Sequence, residues 1–136
     1  VLDFRTPKRL GDVLRLDDPL LASSNGLDHS LVVRDAVTAK PTPVGWIDDP
    51  ASGRRMMVLT TEPSVQLNSG NGFDGSETGS EGVAYPRYAG LAFETQHLPD
   101  SPNQTAFPST VLRPGTPFRS ATILRFSRQG WAGALH

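Results

Sequence analysis

An all-β fold is what this sequence predicts, on three observations. Its 13 glycines and 12 prolines make 25 of 136 residues and are spread along the whole length. No window of about 12 residues or more carries the 3.6-residue apolar period of an amphipathic helix. In its place stand short β-rich runs bounded by turn-forming residues, the pattern of strands joined by turns.

Taken in order, the stretch 10–16 comes nearest to a helix, though Lys8-Arg9-Leu10-Gly11 suits a turn equally well. The first strand is expected at 30–34. Asp48-Asp49-Pro50-Ala51-Ser52-Gly53 reads as a hairpin turn leading into a strand at 54–61. A further strand is expected at 64–67. Residues 68–82 are rich in Gly, Ser and Asn with interleaved acids, too little apolar surface for burial, and read as a long exposed loop. The run 90–97 is the next strand. The segment 98–108, with three prolines, is a rigid irregular connection of the kind that often carries binding groups. The last strand is expected at 117–126. The tail 129–136 follows it; Trp131 and Leu135 could dock on the body, while its glycines favour a frayed end. No repeat or domain-scale linker breaks the chain, so 1–136 reads as one domain.

Composition removes several classes of function. A net charge of -1 gives no broad electrostatic footprint for nucleic acid or an anionic membrane. No apolar run approaches the roughly 18 residues that span a bilayer. With no cysteine, disulfides, thiolate metal sites and a thiol nucleophile are excluded. The three histidines, His29, His97 and His136, lie far apart and form no metal-ligand spacing. Val1-Leu2-Asp3-Phe4-Arg5 shows neither an initiator Met nor a signal-peptide layout, and reads as the interior of a longer protein.

Three places could carry chemistry. In the strand 90–97, Leu91, Phe93, Thr95 and His97 share one face, and Ala92, Glu94 and Gln96 share the other. The first face can cover a core; the second presents a carboxylate beside an amide, which on patterning alone is more often a solvated face. Asp28-His29 precedes the apolar run Leu31-Val32-Val33, where an Asp is often a turn or capping residue. Gln66 points away from the Val65/Leu67 face, a position usually left to solvent. Separately, each signal is weak.

Together these residues carry a resemblance. Thr60-Thr61-Glu62-Pro63-Ser64-Val65-Gln66-Leu67-Asn68-Ser69-Gly70-Asn71 resembles the "T-x-x-P-x-x-Q-x-Y-x-G-N" segment of the aldose 1-epimerases (galactose mutarotases). Tyr85-Pro86-Arg87-Tyr88-Ala89-Gly90-Leu91-Ala92-Phe93-Glu94-Thr95-Gln96 resembles that family's "Y-x-x-x-x-G-x-x-x-E-x-Q" strand. Pro99-Asp100, Asn103, Phe107-Pro108, Leu112 and Pro114-Gly115 then follow in family order. Gly26-Leu27-Asp28-His29 resembles its "G-x-D-H", and Asp3-Phe4-Arg5-Thr6-Pro7 with Gly11 the stretch before it. The likeness runs over about residues 3–126. One departure is Asn68, where the family usually has an aromatic residue.

The resemblance implies the C-terminal part of a galactose-mutarotase-like β-sandwich. It implies a carbohydrate epimerase that interconverts the α and β anomers of an aldohexose, galactose or glucose, without metal or organic cofactor. Glu94 matches the general base, Asp28 an acid that binds sugar hydroxyls near the anomeric carbon, and Gln66 a sugar-binding amide. His29 and Gln96 match motif positions without an assigned role. The family's histidine acid, its second histidine and an Asn-Arg pair belong to an N-terminal half, and nothing here matches them. The chain alone is therefore expected to be inactive, with that missing half as its partner and the cytoplasm as its location. A glycoside hydrolase built on Asp28 and Glu94, a non-catalytic sugar-binding module, and a hexose-6-phosphate epimerase stay open as alternatives. The last would need a phosphate-binding Arg or Lys cluster, for which Arg54-Arg55 and Arg87 are too scattered.

Overall fold

The structure, a computed structural model, describes residues 1–128. The expectation for the tail 129–136 lies outside them. The fold is all-β, as the sequence predicts; the described residues form six strands in two three-stranded sheets, two short α-helices and a 3-10 turn at Ser101–Asn103. The chain divides into two compact units: Val1–Leu31 with Val65–Glu94, and Val32–Ser64 with the residues from Thr95 onward.

The first unit opens with α1, Leu10–Val13, a single turn where the sequence came nearest to a helix. Helix α2, Pro19–Ser24, was not expected. Its signals are local: Asp18 caps it by accepting from the Leu20 N–H at 2.9 Å, proline occupies its first turn, and Asn25 ends it at φ 55°. At six residues it is too short for an apolar period to emerge. Strand β1 is Asp28–Val32, β4 is Ser64–Asn68 and β5 is Ala92–Gln96, in the sheet order β1-β4-β5.

Pairing in this sheet follows from contacts at its end. Ser69, just past β4, donates its N–H to the carbonyl of Leu27, just before β1, at 3.0 Å. Strands that meet end to start run antiparallel, and counting inward sets Asn68 opposite Asp28 and Gln66 opposite Ser30. Strand β5 flanks β4 on its other side, and Ser64 at the start of β4 donates its hydroxyl to the carbonyl of Gln96 at the end of β5 at 2.8 Å, so these two also run antiparallel. One face of the sheet covers the core. Leu27 and Leu67 are buried there with Val13 and Leu21, and Leu31, Leu91, Phe93, Leu10 and Phe4 pack around them. Leu27, with none of its surface exposed, contributes about 2–3 kcal/mol by burial.

The second unit holds β2, Thr42–Asp49, β3, Arg54–Thr60, and β6, Thr122–Ser127, in the order β2-β3-β6. All pairs are antiparallel, with Trp46 opposite Met57 and Val58 opposite Leu124. Central β3 buries Met57, Val58 and Leu59. The expected turn joins β2 to β3: Gly53 takes φ 68°, as a glycine can without penalty, and donates its N–H to Asp49 at 2.9 Å. Strand β2 was missed because Pro41, Pro43 and Gly45 argue against a strand. It is an edge strand, and its pairing register shifts between Pro43 and Gly45, where a missing N–H costs little. Strand β6 starts later than expected: its ladder with β3 opens at Thr122 opposite Thr60, preceded by a single backbone bond from the Thr61 N–H to the Ala121 carbonyl at 3.0 Å.

Candidate functional site

Alternation along the strands of the first unit decides which side chains share a surface. Leu27 and Leu31, Leu67, and Phe93 turn to the core. Asp28 and Ser30 on β1, Gln66 on β4 and Glu94 on β5 therefore stand together on the opposite face. Gln66 is on the central strand, with Ser30 directly across on one side and Glu94 on the neighbouring strand on the other. Asp28 is its diagonal neighbour, within reach of a long side chain.

Gln66 Nε2 donates to Asp28 Oδ1 at 2.8 Å. The carboxylate fixes which way the amide points, because only the NH2 end can donate to it. Gln66 Oε1 is consequently turned away, and it is buried with no hydrogen-bond partner among the described residues. Ser30 Oγ is in the same condition. Asp28 and Glu94 are exposed. The face thus offers two open carboxylates flanking a tethered amide. Such a set suits a neutral ligand rich in hydroxyls, whose O–H groups donate to carboxylates. Among the described residues, no group of three or more His, Asp or Glu side chains could hold a metal ion.

The three predicted site residues occupy neighbouring strands of one sheet. Ser30 was missed: its signal is its spacing of two from Asp28, but its place beside Gln66 needs the strand pairing, which the sequence does not carry.

What positions Asp28 is a cluster built from two motifs distant in sequence. Asn71 Nδ2 donates to the carbonyls of Ser24 at 3.0 Å and Leu27 at 2.8 Å, and its Oδ1 accepts from Ser69 Oγ at 2.6 Å. The space it fills exists because Gly26 has no Cβ: a methyl there would lie 2.9 Å from Asn71 Cγ and from Ser69 Oγ. Gly26 also holds φ 143°. Residues 69–71 are thus buried or partly buried, where the sequence suggested an exposed loop beginning at Asn68. Farther on, Tyr88 Oη donates to the Asn25 carbonyl at 2.9 Å, joined there by the Arg87 guanidinium.

Neither described histidine stands free. His29 alternates with Asp28 and so points to the core side; its Nδ1 accepts from the Asp28 N–H at 3.1 Å. In the second unit, His97 Nδ1 lies 2.9 Å from Oε2 of Glu62, whose side chain is only 3% exposed. That contact is close but not aligned as a hydrogen bond, and Glu62 Oε1 has no partner among the described residues. His136 lies outside the described residues. Asn103 donates its Nδ2 to Asp100 Oδ1 at 2.6 Å. Hydrogen bonds from Asn103, then from Gln104, hold the Asp100 carboxyl below the usual carboxylate range.

Residues 1–125 match the family described as Aldose 1-epimerase. The chain is 38% identical over 125 residues to the galactose mutarotase of Mus musculus, covering 92% of this chain and 34% of that protein. The same identity and coverage hold for the galactose mutarotase of Homo sapiens. With the aldose 1-epimerase of Escherichia coli (strain K12) the identity is 34% over 128 residues, covering 91% of this chain and 36% of that protein. The chain spans about a third of the length of the curated relatives it matches.

Proposed function

The chain belongs to the aldose 1-epimerase family, and on that premise we propose that it supplies the general base and two sugar-binding groups for interconverting the anomers of an aldohexose such as galactose or glucose. One observation carries this reading above the others. Asp28, Gln66 and Glu94 stand on one face of adjacent strands, with the amide tethered to Asp28 at 2.8 Å and the Glu94 carboxylate exposed beside it.

Mutarotation needs a proton removed from the C1 hydroxyl and a proton delivered to the ring oxygen. The C1 carbonyl of the open form then rotates, and the ring closes on its other side. Glu94 takes the C1 proton and returns it on closure. A strand holds a base at a fixed height better than a loop does, and each well-placed acid or base contributes about 10²–10⁴-fold. Asp28 accepts from a sugar hydroxyl near C1. Gln66 Nε2 has two protons; one goes to Asp28, and the second is available to a sugar oxygen. No step in this scheme requires a metal or a bound cofactor.

The acid comes from elsewhere. His29 and His97 are both engaged, one by a backbone N–H and the other by Glu62. The 136-residue chain by itself is therefore inactive or nearly so, and the cytoplasm is the setting proposed for the enzyme of which it supplies a part. Titrating α-methyl galactoside, which cannot mutarotate, into ¹⁵N-labelled protein of native length tests the binding face. The expected result is a saturable shift of the Gln66 side-chain amide, lost in Asp28→Ala. Release of the aglycone from an aryl galactoside would instead assign Asp28 and Glu94 to hydrolysis and refute the epimerase reading.

A further inference from the structure

Among the described residues, two buried polar atoms on the candidate face have no hydrogen-bond partner, Ser30 Oγ and Gln66 Oε1. Their residues stand directly opposite each other on β1 and β4. The contact from Ser69 to Leu27 makes 27 and 69 a hydrogen-bonded pair, so 30 and 66 fall at a non-hydrogen-bonded position, where cross-strand side chains come closest. One atom can donate and the other can only accept. An unmet donor and an unmet acceptor, both shielded from water, are each costly alone and complementary together.

We propose that Ser30 is a positioning residue of this site, whose hydroxyl donates to Gln66 Oε1 and locks the amide in the orientation that serves Asp28. The contact is made by rotating the serine hydroxyl and side chain toward the amide, with no change of strand pairing. The result is a directional chain: Ser30 Oγ–H to Gln66 Oε1, then Gln66 Nε2–H to Asp28 Oδ1, the second link standing at 2.8 Å. Bonds in such a chain polarise one another. The second Nε2 proton and the free oxygen of Asp28 are left aimed at the ligand. Ser30 does not touch sugar; it acts through Gln66. This inference rests on the reading of the face as a sugar site, and it deepens that reading by adding the group that orients its amide.

The test is a double-mutant cycle in this chain joined to the remaining two-thirds of the mouse galactose mutarotase, with Ser30→Ala, Ser30→Thr, Gln66→Met and the Ser30→Ala/Gln66→Met pair. Anomer exchange is followed at several sugar concentrations. Ser30→Ala is expected to raise KM roughly 3–10-fold, the worth of one neutral hydrogen bond, with a smaller effect on kcat. Ser30→Thr recovers most of that loss. In the Gln66→Met background Ser30→Ala adds nothing. An unchanged KM in Ser30→Ala, or an equal effect with and without Gln66, overturns the proposal. Should the wild type neither bind nor exchange sugar, the site reading fails, and a second measurement still judges Ser30. The ¹⁵N resonance of the Gln66 side-chain amide shifts in Ser30→Ala and returns toward its place in Ser30→Thr if the hydroxyl is its partner; a resonance unmoved by Ser30→Ala overturns it.

Discussion

Replacing Gly26 with alanine should cost this protein far more than a methyl group on a turn normally would. Two penalties add. At φ 143° a side chain is strained, at about 1–3 kcal/mol. The new Cβ would also stand 2.9 Å from Asn71 Cγ and Ser69 Oγ, so the asparagine must leave. Its three hydrogen bonds, to Ser24, Leu27 and Ser69, go with it, at about 1 kcal/mol each. The sum is about 4–6 kcal/mol, a large share of the 5–15 kcal/mol of a typical domain. Urea unfolding measures it directly. Because Gly26→Ala and Asn71→Ala break the same bonds, the double variant should fall well short of the two single losses added together. A loss below about 1 kcal/mol in Gly26→Ala, or strict additivity, would refute the claim that this glycine exists to seat Asn71.

Other consequences are open to measurement. His97→Ala removes the imidazole whose Nδ1 lies 2.9 Å from the buried Glu62 carboxylate and should cost about 1–3 kcal/mol in unfolding free energy. Gln66→Glu sets a third carboxylate between Asp28 and Glu94; the expected loss is about 1 kcal/mol at neutral pH, shrinking in 1 M salt, where screening acts within about 3 Å. Asp100 is held below its ordinary range by Asn103 and Gln104. A carboxyl depressed in the folded state lends stability that is full above about pH 4 and is lost as pH falls through its folded value. The side-chain amides of Asn103 and Gln104 should therefore move toward free-amide shifts on acidification from pH 5 to 2, and unmoved resonances would contradict this.

Much of the fold was legible because its signals are local. Strand β5 shows its alternation openly: Leu91 and Phe93 go to the core and Glu94 away from it. The turn at 48–53 announced itself through Asp and Gly, and β3 through an apolar run. Strand β2 was hidden by Pro43 and Gly45, residues that only an edge position with a register shift accommodates. Helix α2 carried its cap residues in plain view, but its length gave no period to find. At the site, the faces of Gln66 and Glu94 were readable strand by strand. What the sequence could not supply was pairing across strands. That pairing sets Ser30 beside Gln66 and brings Gly26 against Asn71, 45 positions away. Register depends on contacts between distant segments, and no single stretch of sequence records it.

Following the optical rotation of freshly dissolved α-galactose tests the central claim most directly, since that claim makes Glu94 the base and places the acid outside this chain. The 136-residue chain alone should leave the rotation decaying at its uncatalysed rate. Joined to the remaining two-thirds of the mouse galactose mutarotase, it should catalyse the decay, and Glu94→Gln in that joined protein should remove about 10²–10⁴ of the rate. Catalysis by the isolated chain, or a joined protein equally fast with glutamine at position 94, would contradict the account.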